Sequence, residues 1–284
     1  MLMNISKSVV TLILVSGFAL GSAAQASLYN DTVLADNPVA FYHMAETSGT
    51  TMVDTIAAQN GAYSGSITLN VAGPQPPTFP AFDPTNTAVH SDDVTTSGTS
   101  TGKGDVPTIT GLNPTTYSME VWFNYNSSKL QYLLGRGSGG SLSYDTVGMN
   151  GSSLFFFNGV ATTLSAFPGI NVSTNSWHHL VFTRSPSAVN VYLDAVNVIT
   201  LTSGTGFPAT YGASTRIVVG DRPGDTGNLN PTAAYDELAL YSTALTQAQV
   251  SNHFSPIPEP GSFVLLGVGT IGLVRTARRR RVIS

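Results

Sequence analysis

Apolar and polar side chains alternate with a period of two along much of the middle of the chain. In Tyr117–Tyr125, Met119, Val121 and Phe123 point one way, and Glu120, Trp122 and Asn124 the other. That is the period of a strand with two different faces. Val189, Val191 and Leu193 share a face within Val189–Leu193, as do Leu238 and Leu240 within Glu237–Tyr241. His178–Thr183 and Arg216–Val219 predict further strands, and Leu154–Phe157 a buried run. Turn residues such as Gly135-Arg136-Gly137 and Gly148 to Gly151 separate them. Many short strands without amphipathic helices between them predict an all-β sandwich, with jelly-roll closure to manage the edges. One helix is predicted late in the chain. Thr246 caps it, Gln249 completes a capping box, and Leu245 and Val250 form a hydrophobic staple. It runs to about Phe254 and stops before Pro256. Ser64 to Gly104 is rich in Gly, Pro, Ser and Thr, and reads either as a long loop region or as strands the pattern does not place.

The two ends follow other rules. Lys7 supplies a positive start, Val9 to Leu20 an apolar stretch, and Ala24-Gln25-Ala26 a small-residue cleavage site. Together they predict a signal peptide over residues 1–26, with Ser27 as the first mature residue. At the other end, Pro258-Glu259-Pro260 precedes an apolar run from Ser262 to Val274, followed by Arg275, Arg278, Arg279, Arg280 and Arg281. As a helix the 13-residue run spans roughly 20 Å. A bilayer core is about 30 Å thick. The expectation is a short membrane helix, held transiently, with its arginines snorkelling on the cytoplasmic side. The two prolines keep Glu259 extended, as a protease substrate should be. The chain thus divides into 1–26, a body over 27–255, and a tail over 256–284.

Composition narrows the partners of the body. Between Ser27 and Pro256 there are fifteen Asp and Glu against six Lys and Arg, a net of −9 that the whole-chain value of −4 conceals. An acidic body without a basic patch argues against nucleic acid. There is no cysteine, so thiol chemistry and Cys-bound zinc are excluded.

The tail resembles the PEP-CTERM sorting signal of Gram-negative, exopolysaccharide-producing bacteria. Pro258-Glu259-Pro260 matches the signature triplet, Gly261 to Val274 the hydrophobic part, and Arg275 to Arg281 the basic end. The resemblance implies recognition by an exosortase, then release or surface attachment. The body resembles the laminin-G-like, concanavalin A-like sandwich. Asp36–Asp54 with Asn60–Tyr63 looks like its opening, Tyr117–Phe123 like its first central strand, and Trp177–Thr183 with Val189–Val196 like its middle hairpin. Tyr235–Thr246 looks like its last strand and the turn into a closing helix. Two departures stand out. Ala195 replaces the usual hairpin Gly, at a cost on the order of 1 kcal/mol if φ is positive, so the turn is expected to adopt another type. Tyr42-His43-Met44 stands where Trp-Arg-Leu is common, so any contact made by that Arg is expected to be absent.

The resemblance also implies chemistry. Members of the fold often carry one structural Ca²⁺ joining the two ends. Carried over, this makes Asp54 and Asp236 side-chain ligands, with Glu46 close and the Asn60 or Gly61 carbonyl nearby. The alternative is that Asp54 caps a turn and Asp236 orders the strand start. His178 and His179 are adjacent on one strand, so their rings point apart and do not converge on one ion. The related glycosidases need paired carboxylates on one face, and no E-x-D-x-x-E string occurs here. Tyr125, Tyr132, Tyr144, Trp122 and Asn150 are candidates for stacking on, or bonding to, a sugar. The expectation is an exported, non-catalytic surface or matrix protein that binds extracellular polysaccharide or a surface protein. The alternatives are a polysaccharide-active glycosidase or lyase of the same fold, and a structural matrix protein without a small ligand.

Overall fold

The computed structural model describes residues 27–92, 102–126, 130–138, 144–158, 165–166, 169–202, 215–223 and 232–255. The signal peptide with Ala24 and Ala26, and the tail from Pro258 to Arg281, lie outside the described residues.

Two antiparallel sheets face each other. Sheet A contains β1 (Ala40–Tyr42), β4 (Ile67–Ala72), β5 (Thr87–Ser91), β7 (Tyr117–Tyr125), β12 (Trp177–Arg184), β13 (Ala188–Leu193), β14 (Val196–Thr202) and β16 (Ala233–Tyr241). Its order is β14-β13-β12-β7-β16-β5-β4, with β1 also on β16. Sheet B contains β2 (Thr51–Met52), β3 (Gly61–Ser64), β6 (Lys103–Val106), β8 (Leu130–Ser138), β9 (Tyr144–Asn150), β10 (Ser153–Asn158), β11 (Ser165–Ala166) and β15 (Thr215–Val219). Its order is β11-β10-β9-β8-β15-β6-β3-β2. Two helices, α1 (Leu28–Ala35) and α2 (Gln247–Phe254), complete the fold.

The alternation in β7 sorts its side chains between two cores. Met119, Val121 and Phe123 enter the main core between the sheets, beside Leu180, Phe182, Leu238 and Leu240. Trp122 points the other way, into a second core under α1 and α2 with Val181, Tyr192, Tyr241 and Val250. Sheet A is therefore covered on both faces, and all nine residues of β16 are buried. A buried Trp or Phe side chain contributes about 1.5–3 kcal/mol or more by leaving water.

The predicted strands form, β7 with the expected bounds and the others with wider ones, but Gly135-Arg136-Gly137, expected as a turn, lies inside β8, and Gly148 inside β9. The predicted helix forms with its capping box, the Thr246 side chain accepting the Gln249 N–H while the Gln249 side chain accepts the Thr246 N–H. Leu245 and Val250 are both buried in the second core, where a staple places them. Within Ser64–Gly104 the ambiguity resolves into β4, β5 and the start of β6, with the 73–86 segment sending Phe79 and Phe82 over Trp122. The helix α1 has only a faint signature. Ser27 caps it by accepting the Asn30 N–H, but only Tyr29 and Val33 are fully buried. Asn30, Asp31 and Thr32 are poor helix formers, so packing rather than propensity holds it.

The β13–β14 turn corrects one expectation. Asp194 and Ala195 both have positive φ, 49° and 64°, so the mirror-image turn is kept despite the Ala. The two-residue connection requires that twist, and the Asp194 side chain anchors it by accepting the His179 N–H at 2.9 Å. Ala195→Gly should relieve the strain and raise stability by up to about 1 kcal/mol, read as a higher urea midpoint at unchanged slope.

Candidate functional site

The three acidic residues implied as metal ligands meet different fates. Asp54 is saturated by backbone: Oδ1 accepts the N–H groups of Phe41 and Ile56, and Oδ2 those of Ala57 and Gln59, at 3.0–3.1 Å. It acts here as a turn cap. Glu46 accepts the Val53 N–H at 2.8 Å and the Tyr63 hydroxyl at 2.6 Å. Asp236 lies at a bulge in β16, where the register with β7 shifts between Asp236 and Ala239. The strand is flanked by β5 up to Tyr235 and by β1 from Leu238, so the bulge falls in the gap between them. Glu237, inside the bulge, has φ of 55°.

The acids at this bulge are short of partners. Asp236 Oδ2 accepts from Asn86 Nδ2 at 2.7 Å, and its buried Oδ1 has no partner. Glu237 meets His43 Nδ1 at 2.9 Å, so His43 makes a contact at the position where the resemblance has Arg. Burial, then the Glu237 charge, pushes Asp236 well above the usual carboxylate range. Burial, then Glu120, does the same to Glu237. Among the described residues no group of three His, Asp or Glu side chains is close enough to hold a metal ion. A cation at Asp236 would need carbonyl oxygens and water beside the acids, which calcium accepts.

A second buried acid is well paired. Glu120 accepts from Tyr241 at 2.8 Å and from His253 Nδ1 at 2.8 Å, while His253 Nε2 meets Asp36 at 2.9 Å. His179 Nε2 lies 3.4 Å from Glu120, too poorly aligned for a hydrogen bond. Burial pushes Glu120 up, but the charge of His253, helped by His179, holds it well below its ordinary range. Burial pushes His253 down, but Glu120 and then Asp36 raise it. The imidazolium thus clamps α2 to sheet A and to the end of α1.

The rings of His178 and His179 diverge, as the strand period requires. His179 stacks on Trp122, with centroids 4.9 Å apart. His178 Nδ1 meets Asp194 at 2.8 Å, and its Nε2 lies 3.0 Å from both the Ser173 hydroxyl and the Ser173 carbonyl oxygen. The distances mimic a Ser-His-Asp triad. A carbonyl oxygen has no proton to give, however, so Nε2 carries one and donates. Burial lowers the His178 pKa, but Asp194 and the Ser173 carbonyl raise it above the ordinary value. The ring bridges Asp194 and Ser173 and ties the β13–β14 turn to the start of β12.

The outer face of sheet B is open in part. Ala62 pairs with Asp105 and Asp105 with Val218, alternating with Tyr63, Val106, Ile217 and Val219 of the main core. They therefore point away from sheet A. Part of this face is covered: Phe155 packs on Tyr132, Arg222 lies over the Tyr132 ring, and Pro223 sits against Gly135. Beside that cover a pocket of about 350 Å³ stays open, lined by Asn60, Gly61, Ala62, Ser64, Asp105 and Arg216 among others. Arg216 Nη2 meets Asp105 Oδ2 at 2.7 Å. Burial raises the Asp105 pKa, opposed by Arg216 and Lys103.

Three of the four aromatic candidates for sugar stacking are internal. Trp122 is fully buried in the helix-side core. Tyr125 donates to the Val172 carbonyl at 3.0 Å and is buried. Tyr132 is 6% exposed under Arg222. Asn150 is exposed at the end of β9, and the Tyr144 side chain is outside the described set. The pocket had no sequence signal beyond the Asn60-Gly61 turn pair, because its residues come from three separated strands.

The fold is a jelly-roll sandwich whose sheet A carries two helices over the middle of its outer face and whose sheet B carries an open pocket. A family model described as the concanavalin A-like lectin/glucanases superfamily matches residues 97–251, and the chain belongs to that superfamily. The PEP-CTERM protein-sorting motif matches residues 256–281. The motif implies export to the envelope or surface of a Gram-negative bacterium and processing by an exosortase. A search of curated proteins finds no match. Among solved structures, the chain is similar to domain 4 of AbnA, a GH43 extracellular arabinanase from Geobacillus stearothermophilus, in complex with arabinotriose. The identity is 17%, the TM-score 0.55, and the match covers 77% of this chain and 98% of that one. It is also similar to a Trypanosoma rangeli sialidase at 11% identity and TM-score 0.56, covering 76% of this chain and 32% of the sialidase. A third is the binding domain of botulinum neurotoxin DC in complex with rat synaptotagmin II, at 16% identity and TM-score 0.52, covering 77% and 51%. At these identities the likeness is one of fold. Among the described residues no helix is long and apolar enough to cross a membrane, and the predicted membrane helix lies outside them.

The buried clamp sets a pH dependence. Glu120 is depressed in the fold, so its contribution is present above the ordinary value of about 4.3 and fades as pH falls below it. His253 is raised, so its contribution is present below about 6.5 and fades as pH rises through its folded value. Asp236 and Glu237 are also raised, and they too lose stability as pH rises. Urea stability should therefore decline from about pH 6 towards about pH 9. His253→Gln should be less stable than the parent at the acid end, with the gap narrowing towards the alkaline end.

Proposed function

We propose that this is an exported, exosortase-sorted module that recognises extracellular polysaccharide at the cell surface or in the matrix, without catalysing its cleavage. One observation carries the reading. The helices α1 and α2 and their aromatic core cover the middle of the outer face of sheet A, while that of sheet B keeps an open pocket in which Asp105 is the one carboxylate among the described lining residues. A glycosidase needs two carboxylates across the scissile bond; a binding surface needs only convergent polar groups. The similarity to a domain solved with arabinotriose is consistent with the reading but does not carry it. The full chain, purified in mild detergent, should bind members of a glycan array and leave them intact by mass. Cleavage of a bound glycan would favour the enzymatic alternative, and a blank array would sink the binding role.

The metal belongs to the same proposal. Asp236, with its partnerless oxygen, is the residue best placed to hold a calcium ion, with Glu46 and nearby carbonyls as further donors. The ion would neutralise acids that otherwise remain protonated, and tie the opening segment to β16. Asp54 has no lone pair left for it. Millimolar calcium should raise Tm, more at about pH 8 than at about pH 5 because protons compete for the same oxygens. Asp236→Asn should abolish the response, and a Tm indifferent to calcium would remove the metal.

A further inference from the structure

We infer that the pocket on the outer face of sheet B is a subsite for a neutral, hydroxyl-rich sugar unit, gripped by the Asp105–Arg216 pair together with Asn60 and Ser64. The inference rests on the carbohydrate-binding reading and names the place and the ligand chemistry.

The donor and acceptor set is complementary to adjacent hydroxyls. A sugar hydroxyl both donates and accepts. Asp105 Oδ2 and the Arg216 guanidinium lie side by side, 2.7 Å apart at Nη2. One offers lone pairs and the other N–H groups, at the spacing of neighbouring groups on a ring. The Asn60 amide is oriented, because its Oδ1 is committed to the Asp54 N–H at 3.0 Å. Its NH₂ is therefore left as a donor. Ser64 adds a hydroxyl that can act either way.

The floor allows a ring to approach. Ala62 presents only a methyl group outward. Pro107 gives an apolar edge on which the C–H face of a sugar can pack. The volume of about 350 Å³ is at the small end of ligand pockets and suits about one or two rings.

Charge selects a neutral ligand. Arg216 is 44% exposed but already faces a carboxylate, and the body carries a net charge of −9. A uronate or sialate carboxylate would compete with Asp105 for the guanidinium and meet the field of the whole body. A neutral sugar meets neither obstacle. With no aromatic platform among the lining residues, hydrogen bonds supply most of the affinity. Binding should accordingly be weak for one unit and gain strength through repeated engagement along a polymer.

The test is an NMR titration of the full chain in mild detergent. The neutral probes are cello-, manno-, malto- and arabino-oligosaccharides; the acidic probe is an oligogalacturonate. The expected result is neutral-probe shifts confined to 60–64, 104–107 and 216. Arg216→Ala and Ala62→Phe should each weaken binding at least tenfold. Ala62 is an exposed strand position, so Ala62→Phe blocks the pocket while leaving the ion pair and the fold in place. Its unchanged Tm checks this even if Arg216→Ala proves unstable. Neutral binding that both variants retain would overturn the subsite while leaving the carbohydrate role standing. Binding of oligogalacturonate alone would overturn the ligand class. Silence from every probe overturns the subsite outright, and the glycan array then decides separately whether the broader role survives.

Discussion

The pairing of β7 with β16 governs the rest of the molecule. Both strands are buried along nearly their whole length, which is possible only if each face of sheet A has its own cover. Sheet B covers one face. Two eight-residue helices and the aromatic 73–86 segment cover the other. Neither helix would persist alone in water at that length. They exist because Trp122, Val181 and Tyr241 need burial, and because Glu120, on the same face, needs a counter-charge. His253 supplies that charge. A buried carboxylate left unpaired is strongly destabilising, and one bonded to a tyrosine hydroxyl and an imidazolium is tolerable. The clamp therefore fixes where α2 lies as much as apolar contact does.

Both helices pack over the middle of sheet A, on the face turned away from sheet B. The outer face of sheet B is interrupted by glycines and covered in part by the Arg222–Pro223 segment over Tyr132 and Gly135. The pocket at Asp105 and Arg216 occupies the part that is left. Its lining includes Asn60, Ser64, Asp105 and Arg216, none of them among the residues that first suggest sugar binding.

The bulge at Asp236 and Glu237 joins fold to chemistry in another way. β16 must pair with β5 along one stretch and β1 along the next. The bulge between them turns two adjacent acids into the interior together, both raised by burial, Asp236 further by the Glu237 charge and Glu237 by the Glu120 charge. A strand with regular alternation would have sent one of them to the opposite face.

Much was legible in the sequence by itself. Period-two alternation placed β7, β12, β13, β15 and β16, because strands flanked by two different layers keep two distinct faces. The box at Thr246 and Gln249 placed α2, because capping is settled within one turn. The Pro-Glu-Pro tail marked the route of export, because a short linear address needs no fold to be read. Other features were decided only by tertiary structure. The helix α1 and the strands β4 and β5 draw their stability from contacts distant in sequence, so no local pattern announces them. Whether Asp54 binds a metal or caps a turn depended on four backbone N–H groups converging on it. The histidine beside Ser173 became a donor through the position of one carbonyl oxygen. The pocket arises where β3, β6 and β15 meet, strands that lie far apart in the chain and become neighbours only through sheet pairing.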